Sequence, residues 1–416
     1  MTLVSDLQLP AFDYTEPSLR GERFHTEMEA LRDGGWLAQG PFGYMVLDRE
    51  AGEFFLRTRA ATFPGMKIAE IFDVKQGPLF EQMRRNILHV NGADHSRLRS
   101  LVNPALSPRA VERYRPAMRE FLQELMDDAS ARSPEGGGTV SCEFVEAFAK
   151  PFPSRVIATV MGAPLADAPR LHHWSNWIQR QFDAVSMATE RELIEQAVDE
   201  FYTYADGLLS VRRREPGDDL ISSLIEAEEA GERLSDVECI NLVFNVLAGG
   251  VDTTQSQLAH TVRLLAEHPS QWQMLVEDPS LAQDAVEEAL RFEPITPFTA
   301  RMTTEDVEFR GVTFPQGTIV MVCAFTGNRD LEADEQGAGG PDSFDITVER
   351  PHARTLTFGA GVHYCVGANL ARLELTEALS FLAGRIREVE LDGEPVFESI
   401  LGIYGLAELP LRLTLA

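Results

Sequence analysis

Apolar residues recur every three or four positions between Val111 and Asp127, from Glu190 to Leu209, and from Ala368 through Leu382. That spacing gathers them on one face of a helix. Val307 to Phe314 and Thr318 to Ala324 instead predict short strands, separated by the turn formers Pro315, Gln316 and Gly317. The chain is expected to be mainly α with a minor β-sheet region. Its sharpest helix start is Ser235, where Glu238 three residues on completes a potential capping box. A single helix from there to about His268, ending before Pro269, would have roughly 34 residues and span about 50 Å at about 1.5 Å per residue. A helix of that length must meet the core.

Inside this helix stand Ala248, Gly249, Gly250, Val251, Asp252 and Thr253. Each glycine costs about 1 kcal/mol relative to alanine in a helix interior, so the pair needs a structural return. Close approach of a ligand supplies one, and a helix crossing that brings another backbone near supplies another. Asp252 and Thr253 follow at a place where a helix can loosen, as helices often do at functional sites.

Length and composition narrow the class. The chain has 416 residues and no Gly/Ser linker or repeat that divides it, which predicts one domain over 1–416. With 44% apolar residues it can bury a large core. A formal net charge of −28 argues against a nucleic-acid partner, since phosphate binding needs a basic surface. The segment from Met1 to Glu16 lacks a signal-peptide pattern, and no apolar run reaches membrane-spanning length. Cytoplasmic residence is the expectation. Of the cysteines Cys142, Cys239, Cys323 and Cys365, none forms a Cys-x-x-Cys pair, and the first three read as small buried apolar side chains.

Cys365 has a different setting, Phe358-Gly-Ala-Gly-Val-His-Tyr-Cys-Val-Gly367, just before a helical pattern. Gly359, Gly361 and Gly367 allow tight turns and let a flat ligand come close. A helix start after the cysteine favours a negative sulfur. Such a thiolate suits either a metal ligand or a nucleophile. His363 is two residues away, but no further acid–base partner is evident in the segment, and ligation is the better reading.

Phe358, Gly359, Gly361, His363, Cys365 and Gly367 resemble the haem-binding loop of the cytochrome P450 family, and further motifs occur in that family's order. Gly249, Gly250, Asp252 and Thr253 match its oxygen-activating helix. Glu288 and Arg291 match its Glu-x-x-Arg pair, His95 and Arg99 its His-x-x-x-Arg, and Arg301 an arginine that follows. Asn328 to Asp330 and Pro341 to Asp345 resemble the segment before the cysteine loop, separated by an insertion-like stretch from Leu331 to Gly340.

The resemblance implies a cytochrome P450 fold, with haem b between the long helix and the cysteine loop and Cys365 as its thiolate ligand. Ala248, Gly249, Phe358, Gly359 and Gly367 would border the haem. His95, Arg99, Arg301 and His363 would meet its propionates. Asp252 and Thr253 would be catalytic, relaying protons to activated dioxygen, and Glu288 with Arg291 would be structural. Roughly fifty residues follow Cys365, too few for a flavin domain, so a separate ferredoxin-type donor is implied. Arginines between Arg84 and Arg119 offer it a basic docking segment.

By the same resemblance the substrate pocket draws on 63–88, 172–187, the middle of the long helix, 294–300 and 400–404. Phe72, Phe80, Phe182, Asn245, Val251, Pro297 and Phe298 are its candidates. Their apolar character implies a lipophilic small molecule such as a terpenoid, steroid, fatty acid or secondary metabolite. Asn245, on the glycine face of its helix, is expected to hydrogen-bond a substrate hydroxyl or carbonyl. The expected reaction is insertion of one atom of O2. Desaturation or oxidative coupling at the same site, a noncatalytic haem-based ligand sensor, and a cysteine-nucleophile enzyme are the alternatives.

Overall fold

In the computed structural model, residues 2–132, 138–229, 231, 234–331, 337, 339–350 and 355–416 are described. Most of the glycine-rich stretch 331–340 lies outside them. Helices dominate: Arg115–Arg132, Pro151–Met161, Ala168–Gln179, Arg191–Arg214 and Ala368–Ala383 share one large core of fully buried side chains, among them Phe148, Phe152, Phe201 and Phe244. The segment Val111 to Asp127 is not one helix. Pro108–Val111 and a 3-10 turn at Glu112–Tyr114 precede Arg115–Arg132.

The predicted long helix starts as expected. Ser235 accepts from the Glu238 backbone N–H and Glu238 reaches back to the Ser235 N–H, a complete capping box. It is not continuous, however. The chain forms Asp236–Gly250 and Asp252–Glu267, with Val251 at φ −91° and ψ −72° between them. Gln179 Nε2 donates to the Ala248 carbonyl, and the Thr253 hydroxyl donates to the Gly249 carbonyl at 2.5 Å. Side chains thus satisfy both acceptors at the break, of which the buried Ala248 carbonyl must be paired.

The two explanations for the glycines divide between them. A Cβ on Gly250 would overlap Ile157 Cδ1 of Pro151–Met161, so this glycine serves a helix crossing. A Cβ on Gly249 would meet nothing within 4 Å, so this one opens onto space.

The β structure is small. A five-stranded mixed sheet runs in the order Leu37–Gly40, Gly43–Val46, Ile319–Cys323, Phe298–Thr303, Ala61–Thr62, and places Arg301 opposite Val320. Val307 to Phe314 is two strands rather than one. Arg310 at φ 50° and Gly311 at φ 76° fold it into a hairpin of Val307–Phe309 and Val312–Phe314. Among the described residues no helix is long and apolar enough to cross a membrane.

Candidate active site

Cys365 sits where the chain leaves an irregular loop and enters Ala368–Ala383. Its N–H donates to the Phe358 carbonyl at 3.0 Å, closing the loop on itself. Gly359 and Gly361 have φ of 68° and 72°, in the left-handed region. At Gly361 a Cβ would overlap the Leu56 carbonyl oxygen, so only glycine fits. Gly367 differs from expectation: its φ is −84°, which any residue adopts, and a Cβ there would meet Cys365 Sγ at an ordinary contact distance of 3.9 Å. Burial pushes the Cys365 thiol up. The backbone N–H groups of Gly367 and Ala368, with Arg99 and Arg372, pull it the other way.

The sulfur faces a cavity of about 440 Å³. Of the four cysteines only Cys365 is among its lining residues. Thr253, Gly249 and Gly250 line it too, from the broken helix pair. Asp252 stands behind this wall, buried, with Oδ2 accepting from the Ser175 hydroxyl at 2.9 Å. Burial pushes its carboxyl up to about 7, with the Ser175 and Asn176 hydrogen bonds opposing and Glu398 adding to the rise.

A ring of basic groups borders the cysteine loop. Arg301 and His363 belong to the cavity wall, while His95 and Arg99 stand just outside it. His95 and His363 have ring centroids 4.4 Å apart. Burial lowers both, His363 to about 3 with help from His95, Arg301 and Arg99. Arg99 donates to the Val362 and Tyr364 carbonyls, at 3.3 and 2.5 Å, and so braces the loop itself. Arg301 is buried and donates to the Ala300 carbonyl at 2.9 Å; burial alone lowers it to about 10.

Glu288 and Arg291 form no surface pair. Both are buried and joined by two bonds of 2.7 and 2.8 Å. Arg291 also donates to the Pro341 and Ser343 carbonyls, while Glu288 accepts from the Asp345 N–H and Arg350. The pair therefore ties the helix Ala282–Phe292 to the segment before the cysteine loop.

Of the substrate-pocket candidates, Phe72, Phe182, Asn245 and Phe298 line the cavity, and Phe80, Val251 and Pro297 do not. Phe80 packs against the helical core. Val251, at the helix break, is fully buried, and Pro297 is held away by its carbonyl, which accepts from Ala324 N–H. Ala248 is likewise absent from the cavity wall, its carbonyl covered by Gln179. Asn245 donates through Nδ2 to the Asn241 carbonyl at 2.6 Å, which commits one amide hydrogen within the helix.

Several residues escaped the sequence reading. Tyr14 and Phe42, far upstream, complete the cavity wall. Glu374 lines it as well, with neither carboxylate oxygen hydrogen-bonded, and burial pushes its carboxyl well above the usual range. A sign existed: Glu374 lies four residues after Leu370 and four before Ala378, both buried, an acid on an apolar helix face. The basic segment also changes character. Arg84 and Arg85 pair with Glu81, Arg97 with Glu238, Arg113 with Asp218, and Arg115 and Arg119 with Glu377.

These residues fit a haem. The protein offers one thiol toward the cavity, and among the described residues no group of three or more His, Cys, Asp or Glu could hold a bare metal. A single protein donor suits an iron whose remaining ligands come from a macrocycle. Arg301 is buried in the cavity wall, with no carboxylate partner among the described residues, and so suits an anionic substituent.

Residues 70–383 match the family model described as Cytochrome P450. The chain is 34% identical over 408 residues to luteothin monooxygenase of Streptomyces thioluteus, covering 97% of this chain and 96% of the relative. It is 36% identical over 313 residues to mycinamicin IV hydroxylase/epoxidase of Micromonospora griseorubida, covering 75% of each. The crystal structure of CalO2 superposes with a TM-score of 0.86 at 30% identity, covering 98% of this chain and 99% of that one. The match over most of its length, together with a cysteine loop and a broken glycine-bearing helix facing one cavity, establishes that the chain belongs to the bacterial cytochrome P450 family: an oxidoreductase of the monooxygenase class whose haem iron is held by a cysteine thiolate.

Proposed function

We propose that this protein is one haem domain that inserts an atom of O2 into a lipophilic secondary metabolite, with Cys365 as the iron ligand. The observation that carries this reading is the position of the Cys365 sulfur at an apolar cavity walled by Thr253, with Asp252 behind it. When bound, the haem supplies dioxygen activation and oxygen insertion; the chain supplies the ligand, the proton path and the shape of the substrate chamber.

His95, Arg99, Arg301 and His363 would receive the propionates, Arg301 most directly because it is buried and faces the cavity. Phe358, Gly359 and Gly367 from the cysteine loop and Gly249 from the helix would border the macrocycle. Thr253 would hold a proton at its hydroxyl and Asp252 would replace it, a division of labour suited to an acid near neutrality. The chamber beyond is lined by Ile68, Phe72, Phe182, Val246, Phe298 and Leu401, which favours an apolar substrate. The two named relatives, a luteothin monooxygenase and a mycinamicin IV hydroxylase/epoxidase, support a secondary metabolite. Electrons would come from a ferredoxin-type donor in the cytoplasm.

The test is product analysis with labelled dioxygen, using holoprotein, a ferredoxin and its reductase, and a panel of lipophilic metabolites. One labelled oxygen atom in the product supports the reading. Unlabelled desaturated or coupled products would replace it with the sister chemistry, and ligand binding without electron consumption would indicate a sensor.

A further inference from the structure

Asp252 is half satisfied. Ser175 donates to its Oδ2 at 2.9 Å and Asn176 also supports the carboxyl, while Oδ1 is buried without a hydrogen bond. His172, one turn before Ser175 on Ala168–Gln179, places Nε2 3.7 Å from Oδ1 and 2.9 Å from Gln255 Oε1. Its side chain is 13% exposed against 7% for Asp252, so the ring is the more open of the two to solvent.

We propose that His172 is the proton gateway to Asp252, passing protons from solvent to the acid that supplies Thr253. This rests on the role given to Asp252 above. The neutral ring donates from Nε2 to Gln255, and a short swing redirects that N–H to Asp252 Oδ1. One proton enters the ring at Nδ1 and the Nε2 proton leaves to Oδ1. The histidine is neutral before and after; with the ring swung away from Asp252, Nε2 takes one proton from solvent and Nδ1 returns one, which restores the starting tautomer. No lasting charge is left in the buried site, where it would be costly.

The surroundings agree. Burial holds His172 down to about 4, with Lys150 and His173 adding to the fall and Gln255 and Glu146 opposing it. Lys150 and Glu146 pair with each other at 2.6 Å, and His173 is exposed. Glu398 and Arg180 act on Asp252 with opposite signs, and Arg180 is paired with Glu190 at 3.0 Å.

The experiment compares holoprotein carrying His172→Gln, His172→Gly or Asp252→Asn. Hydrogen–deuterium exchange of the Asp252 carboxyl is followed by infrared spectroscopy, its band identified by loss in Asp252→Asn. The solvent deuterium isotope effect on product formation is measured alongside. Glutamine retains a partner for Gln255 but cannot relay a proton. Exchange and product formation roughly tenfold slower in His172→Gln, with imidazole restoring both in His172→Gly, support the gateway. Unchanged exchange and isotope effect in His172→Gln, with the isotope effect of Asp252→Asn altered, overturn the gateway alone. An unaltered isotope effect in Asp252→Asn overturns the role of Asp252 and the gateway with it.

Discussion

Burial decides the chemistry of Asp252 and Glu374 in different ways. Asp252, lifted to about 7, is a proton donor below that pH and loses the proton above it. Product formation is therefore expected to fall as pH rises through about 7, a limb that Asp252→Asn removes along with much of the activity; a pH–rate profile checks both. Glu374 has a raised native pKa, so the native state holds a proton that the unfolded chain releases above about 4.3. Its contribution to stability is present below that value and declines as pH rises toward the native pKa. Glu374→Gln is expected to melt higher than the wild type, by a margin that widens as pH rises above about 4.3 toward the native pKa. Cys365 was legible in the sequence because glycines and a helix start flank it. The burial of Glu374 was signalled only by the apolar helix face around it, and the approach of His172 to Asp252 not at all, because it joins two helices far apart in the chain.

At the scale of elements, the capping box at Ser235 was legible because its bonds are local. A loosening beside the glycines was legible as well, but the full break at Val251, where Gln179 of another helix covers the Ala248 carbonyl, was not. The hairpin at Arg310 and Gly311 was missed for a local reason, the strand-like residues on both sides of a tight turn. Glu288 and Arg291 were legible as a pair, but their burial and their hold on Pro341, Ser343 and Asp345 were not. Lysine cannot reproduce that planar fork, and Arg291→Lys leaves buried acceptors unpaired. A loss of about 3–5 kcal/mol is expected, read as a lowered melting temperature and reduced haem content. Ser235→Ala, by contrast, is expected to cost about 1 kcal/mol in chemical unfolding.

Across the whole molecule, one cavity gathers residues from Tyr14 to Ile403. The sequence pointed to most of its segments through family resemblance, while Tyr14 and Phe42 depend on the chain's return across the sheet. The proposed function turns on one bond, the one that Cys365 would make to the haem iron. The most direct test is the absorption spectrum of reduced holoprotein with carbon monoxide. A strongly red-shifted haem band that disappears in Cys365→Ala is the predicted result; a band at the position given by a histidine ligand, or one that survives Cys365→Ala, would contradict the account.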